Sequence, residues 1–262
     1  KHRGHIYSIS SICLVKSWKG EETLITGGLE KRAKFWRVSD LLDLEKNLIP
    51  YFKFTTGDNV CCIRELSKGE ICILSWDGTS TILFEDDREN IVLHHDKFYA
   101  WDIIKTNDYY ITADASQSIS LFNHSGSLVN KIEHVDKSPL RLIFQYQGNI
   151  GSNSGVLHEF SIKEGSLENK KEHRITNEGF FSYCIKSNIL YIGGDDKVVY
   201  VFDHDKLSVI HVLPVIGCVS GCNFGCITGD LSISTEKGNI FIYTNDLTRK
   251  ASEEEAQDFL EL

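Results

Sequence analysis

The stretch ICILSWDGTSTILF, Ile71 to Phe84, decides the fold. Two runs of β-forming residues flank Asp77-Gly78-Thr79, and the second run closes on an aromatic, Phe84. Asp-Gly between two such runs is the sequence pattern of a β-hairpin. The hairpin leaves one residue unexplained. Trp76 stands directly before the turn, where an indole is far from any core the two strands could share.

The same form recurs along the chain. LITGGLEKRAKFW (Leu24–Trp36), YITADASQSISLF (Tyr110–Phe122), NIGSNSGVLHEF (Asn149–Phe160), LYIGGDDKVVYVF (Leu190–Phe202) and LSISTEKGNIFIY (Leu231–Tyr243) each read as a strand, a small-residue step, a polar turn and a second strand. The closing aromatics Trp36, Phe84, Phe122, Phe160, Phe202 and Tyr243 lie 38 to 48 residues apart. An apolar strand precedes each hairpin: Ile9–Val15, Val60–Leu66, Ala100–Ile104, Leu140–Tyr146, Ser182–Lys186 and Val219–Phe224. Between successive units lies one more, at Ile49–Phe54, Ile91–His94, Leu128–Ile132, Lys171–Ile175 and Val209–Leu213. Four short strands at a period near forty predict an all-β chain built as a β-propeller. Gly4-His5, Ser75-Trp76-Asp77, Gly194-Asp195-Asp196 and the closing Trp36 resemble the WD40 repeat in degenerate form.

Six blades are expected, with a seventh open if residues lie upstream of Lys1. No strand follows Tyr243, so blade six takes an outer strand from Lys1–Gly4 or from upstream, or has three strands. The propeller is assigned to residues 1–246. Residues 247–262 are a polar tail or a short helix, since Ser252 with Glu255 has the pattern of a capping box.

The chain is 41% hydrophobic and 25% charged, ordinary for a globular protein. The net charge of −9 argues against a nucleic-acid binder, which needs a basic surface to neutralise phosphates. It suits a partner with a basic face. No apolar run approaches a membrane span, and no signal-peptide pattern is visible. The eight cysteines include no C-x-x-C, and Cys218, Cys222 and Cys226 are spaced by four without a nearby histidine. Reduced structural cysteines, with no disulfide and a cytoplasmic location that extends to the nucleus, are the expectation.

Catalytic signatures are missing. There is no phosphate-cradling glycine loop, no H-E-x-x-H and no nucleophile elbow. Gly193-Gly194-Asp195-Asp196 reads as a turn rather than a metal site. His94-His95-Asp96 lacks a third convergent ligand and falls where a propeller places a loop histidine. No enzyme activity, metal or cofactor is expected.

Several stretches, in order, resemble the phospholipase A2-activating protein family of ubiquitin-binding WD-repeat proteins. They are TGDNVCCI with ILSWDGT, AWDIIK with YITAD, SYCIK with GGDDKVVYVF, LPVI, and the tail RKASEEEAQDFLEL. The resemblance covers roughly residues 50–258. It implies a seven-bladed, non-catalytic propeller that binds ubiquitin or ubiquitinated proteins on its top face, in ubiquitin-dependent degradation. The family's link to an AAA ATPase runs through further domains that this chain does not carry. A generic WD-repeat scaffold binding another protein or peptide through the same face is the alternative. A monomer is expected.

In a WD-type propeller the residue before the hairpin Asp points out over the top face. That residue is Trp76 in blade two, and Asp195 and Glu236 hold the corresponding positions in blades five and six. The innermost strand begins at the same face, and alternation along it gives positions two apart a common direction. These are Tyr99 and Trp101 in blade three and Phe181 and Tyr183 in blade five, with Asn59 and Arg141 at equivalent places in blades two and four. The nine residues form the candidate binding face: an aromatic patch with a carboxylate rim. The competing reading packs the aromatics between blades.

Overall fold

The structure is a computed structural model, and it describes residues 4–43, 48–96, 98–133, 135–136, 139–146, 149–224 and 229–244. The chain divides into two compact units, Lys1–Asn177 and Glu178–Leu262.

The first unit holds four antiparallel four-stranded sheets, each a meander in chain order. Sheet one is β1 (Ile9–Trp18), β2 (Glu21–Gly28), β3 (Arg32–Arg37) and β4 (Phe52–Thr55). A one-turn helix α1 (Val38–Leu42) lies in the link from β3 to β4. Sheet two is β5 (Val60–Ser67), β6 (Glu70–Ser75), β7 (Thr79–Phe84) and β8 (Ile91–His94). Sheet three is β9 (Ala100–Lys105), β10 (Tyr109–Asp114), β11 (Ile119–Asn123) and β12 (Leu128–Ile132). Sheet four is β13 (Leu142–Tyr146), β14 (Asn149–Asn153), β15 (Val156–Lys163) and β16 (Ser166–Arg174). The last of these begins well before the expected Lys171, because Phe160–Lys163 and Ser166–Asn169 continue the ladder to a tight turn at Glu164-Gly165.

The second unit holds sheet five, β17 (Phe180–Lys186), β18 (Ile189–Gly194), β19 (Val198–Asp203) and β20 (Ser208–Pro214). Sheet six is β21 (Val219–Phe224), β22 (Leu231–Thr235) and β23 (Ile240–Tyr243). Sheet six has three strands among the described residues. The expected terminal helix and the expected strand over Lys1–Gly4 fall on residues mostly outside the described ones. Gly4 itself is not in a strand.

Neighbouring sheets in the first unit pack face to face. Val15, Ile25 and Phe35 of sheet one share a core with Val60, Ile63, Ile71 and Ile73 of sheet two. Cys72, Leu74 and Ile82 of sheet two join Ala100, Ile103 and Tyr110 of sheet three. A strand covered on both faces needs apolar residues at every position, and β6 is buried along its whole length. This explains why ICILS runs apolar without alternating. In the second unit Val199, Val215, Val219 and Ile233 form the corresponding core.

One device recurs at the start of the inner strands. The register slips by one residue there, and the ladder steps over Ser10, Cys61, Trp101, Phe181 and Ser220 as β-bulges. In three sheets the residue after the bulge reaches the next inner strand. Ser11 Oγ accepts from Ile63 N at 2.9 Å, Asp102 Oδ2 from Ile143 N at 3.2 Å, and Ser182 Oγ from Cys222 N at 2.8 Å. Asp102 is fully buried and also accepts from Arg64 Nε at 2.6 Å and Ile103 N at 3.0 Å. A buried carboxylate is tolerated because each oxygen is satisfied in this way.

Candidate functional site

The hairpin turns and the starts of the inner strands lie at one end of each sheet, and a single hydrogen bond joins them. Leu29 N donates to Ser8 O, Trp76 N to Asn59 O, Asp195 N to Gly179 O and Glu236 N to Cys218 O, each at 3.0 Å, and Ala115 N to Tyr99 O at 3.1 Å. The approach is close enough to dictate residue size. A Cβ on Gly28 would land on the carbonyl oxygen of Ser8, and one on Gly194 on that of Gly179. The Gly-Gly pairs of the first and fifth hairpins are the small-residue step read from the sequence.

In the first unit this end carries a ladder of aromatic rings. Trp76 is 42% exposed. Its ring centroid lies 5.8 Å from that of Tyr99, and the Tyr99 ring meets Trp101 edge-on at 5.0 Å. The Arg141 guanidinium lies 5.7 Å from the Trp101 ring centroid. Edge-to-face rings and a cation over an indole are favoured arrangements of the aromatic quadrupole. Five of the nine candidate residues, Asn59, Trp76, Tyr99, Trp101 and Arg141, thus join in one array, Asn59 through its backbone carbonyl. Trp101 Nε1 is buried and finds no acceptor among the described residues. Burial pushes the Tyr99 phenol up from its ordinary value, with Cys61 adding to the rise and Arg141 opposing it.

The turn itself is fixed. Asp77 Oδ1 accepts from Thr79 N at 2.9 Å and Thr79 Oγ1 at 2.6 Å, and Gly78 has φ 82°. Asp58 N donates to Ser75 Oγ at 3.3 Å, which brings the Gly57–Asn59 loop against the turn. Asp58 is held below the usual carboxylate range, first by the Asn59 N–H and then by Lys31. The turn that carries Trp76 and the loop against it thus bring two carboxylates, Asp77 and Asp58, to this end of the sheet.

Two apolar residues that sequence reasoning passed over belong to this end. Leu29, 39% exposed, makes the same backbone bond as Trp76. Superposing the hairpins would have found it, since Gly28-Leu29-Glu30 aligns with Ser75-Trp76-Asp77. Phe98, 48% exposed, precedes Tyr99, and its carbonyl lies close to Gly78. Strict alternation points Phe98 away from Tyr99, so no sequence signal favoured it.

In the second unit Phe181 and Tyr183 are half-buried on β17, and both have further partners. Asp195 and Glu236 are exposed. Cys218 Sγ lies 3.5 Å from the Asp195 carbonyl oxygen, and the Glu236 carboxylate pushes the Cys218 thiol up. These four residues sit at the same end of their own sheets as the hairpin bonds.

The histidines serve the framework. His95 Nε2 lies 2.9 Å from Ser80 Oγ, and burial lowers its pKa to about 4. His5 meets Glu30 and, at 2.5 Å, Thr26 Oγ1, which also accepts from Trp36 Nε1 at 2.8 Å. Among the described residues no group of three or more His, Cys, Asp or Glu converges as a metal site would require. Asp196 accepts from the Tyr200 hydroxyl at 2.6 Å within its turn.

No family model matches this chain, and no curated protein matches it. Solved structures do. The crystal structure of the WD40 β-propeller domain of Doa1 superposes with a TM-score of 0.80 at 16% identity, covering 93% of this chain and 81% of that one. The chain has the WD40-type β-propeller fold.

Proposed function

We propose that this protein is a non-catalytic adaptor that binds ubiquitin or ubiquitinated proteins through the hairpin end of its sheets, in ubiquitin-dependent degradation. The observation that carries the reading is the ladder Trp76–Tyr99–Trp101–Arg141, with an exposed indole at its outer end and Asp58 and Asp77 at the same end of the sheet. An aromatic centre with a charged rim is the anatomy of a protein interface. Its carboxylates suit the apolar, base-flanked recognition face of ubiquitin. The ordered resemblance to the phospholipase A2-activating protein family supports the same partner, and the WD40-type fold supports a scaffold role. Phe181, Tyr183, Asp195 and Glu236 are assigned to the same role in the second unit. The protein acts in the cytoplasm, with the nucleus as a second location, and as a monomer.

The test is a titration of isotopically labelled ubiquitin with the purified protein, followed by NMR. Shifts confined to ubiquitin's apolar face are expected. An unchanged spectrum at millimolar protein would discard ubiquitin and leave a scaffold for another protein partner.

A further inference from the structure

Among the described cysteines, two meet. Cys184 on β17 and Cys222 on β21 bring their sulfur atoms to 3.0 Å. Both side chains are buried, among Val199, Val215, Val219, Leu231 and Ile233. They lie on neighbouring inner strands of the second unit, and the backbone is clamped beside them. Ser182, two residues before Cys184 and on the same side of β17, accepts the amide N–H of Cys222 itself at 2.8 Å. The two strands are thus registered at Ser182–Cys222, and the next side chain along the face is the second thiol. Both thiols are free.

Sulfur atoms this close, on strands already fixed, need little movement to reach bonding distance. We propose that Cys184 and Cys222 form an intramolecular disulfide when the protein meets a peroxide. One thiol, as thiolate, attacks a peroxide oxygen. The O–O bond breaks, the attacked oxygen stays on sulfur as a sulfenic acid, and the other oxygen leaves as hydroxide, which takes up the proton shed by the thiol to become water. The second thiol then attacks the sulfenic sulfur, the S–S bond forms, and a second water leaves. Two protons and two electrons pass from the thiol pair to one hydrogen peroxide, which ends as two waters. The bond staples sheet five to sheet six through their inner strands. Strand β17 also carries Phe181 and Tyr183, so the staple fixes the strand that presents them.

Under oxidant this pair departs from the expectation of reduced structural cysteines with no disulfide. The mutual contact and burial hold the Cys184 thiol up. Both side chains are buried, which shields the sulfurs from the oxidant and makes the linkage slow to form.

The experiment treats the full chain with hydrogen peroxide, blocks remaining thiols in denaturant, and maps peptides without reduction. The expected product is a Cys184 peptide joined to a Cys222 peptide, two hydrogens lighter than the reduced pair and released by dithiothreitol. Its thermal midpoint should exceed that of the reduced protein by several degrees. The Cys184→Ser variant should show neither the link nor the rise. Recovery of Cys184 and Cys222 both alkylated, in protein whose Cys218 has been oxidised, would overturn the proposal. So would Cys222 linked to Cys218 in the untreated sequence context, because that pairing needs β21 to leave its register. Failure of ubiquitin to bind would leave this result untouched, since the linkage is read without a partner.

Discussion

Truncation of Trp76 to alanine separates the binding role of the ladder from its structural role. The side chain is 42% exposed, and its recorded ring contact is with Tyr99 at 5.8 Å. An aromatic pair contributes about 0.5–1.5 kcal/mol beyond area burial. With the other face of the indole in water, the loss of stability should be about 1 kcal/mol, a fall of roughly 2–4 °C in the melting midpoint for a chain of this size. The backbone bond to Asn59 and the Asp77–Thr79 turn survive the substitution, because neither uses the indole. A tryptophan at the centre of a protein interface typically costs about 2 kcal/mol or more on truncation, close to a thirty-fold loss of affinity. The two effects differ enough to read apart. Trp101→Ala is the contrasting variant. Its ring is half-buried, edge-to-face with Tyr99 and beside the Arg141 guanidinium, so removal opens a cavity and should cost about 2–4 kcal/mol of stability. Ubiquitin affinity by calorimetric titration and stability by denaturant melt, on the same preparations, form the assay. A Trp76→Ala protein that binds ubiquitin as tightly as the parent would refute the placement of the binding surface at this end of the sheets.

Three further outcomes follow from the framework. Asp102→Ala removes the buried acceptor shared by the Ile103 and Ile143 amides and the Arg64 guanidinium, and should lower stability by about 2–4 kcal/mol in a urea melt, with Asp102→Asn recovering part of the loss; a loss below about 1 kcal/mol contradicts the latch between inner strands. His95 has a folded-state pKa of about 4 against a usual 6.5, so the unfolded chain takes up a proton first as pH falls. Stability is full above pH 6.5, drops through the window down to about 4, and should be about 2 kcal/mol lower at pH 5 than at pH 7. His95→Gln should remove that part of the slope, and equal slopes in both proteins count against it. Gly194→Ala drives a methyl group into the Gly179 carbonyl and should cost about 1–3 kcal/mol, with a neutral melt contradicting the close approach.

The repeat, the strands and their order were legible in the sequence, for a local reason. Each blade is a meander of short strands whose turns are marked by Gly and Asp, and neighbours in sequence are neighbours in the sheet. Strands β8, β12 and β21 fall where the apolar runs place them, residue for residue. The position of Trp76 at an exposed turn was legible too, because Asp77-Gly78 fixes the hairpin tip. What tertiary structure alone decided begins with the bulges. Alternation assumes an unbroken pleat, yet Trp101 and Phe181 are themselves the residues at which the register slips. A bulge depends on how the inner strand meets its hairpin, which no single strand encodes. Tyr99 and Trp101 meet directly, and the ladder is completed by groups from separate sheets: the Trp76 ring from the second and the Arg141 guanidinium at the edge of the fourth. The thiol pair is the same case. Cys184 and Cys222 are 38 residues apart and carry no spacing motif. They meet because two sheets stack with their inner strands side by side, and packing between sheets, unlike pairing within one, leaves no period in the sequence.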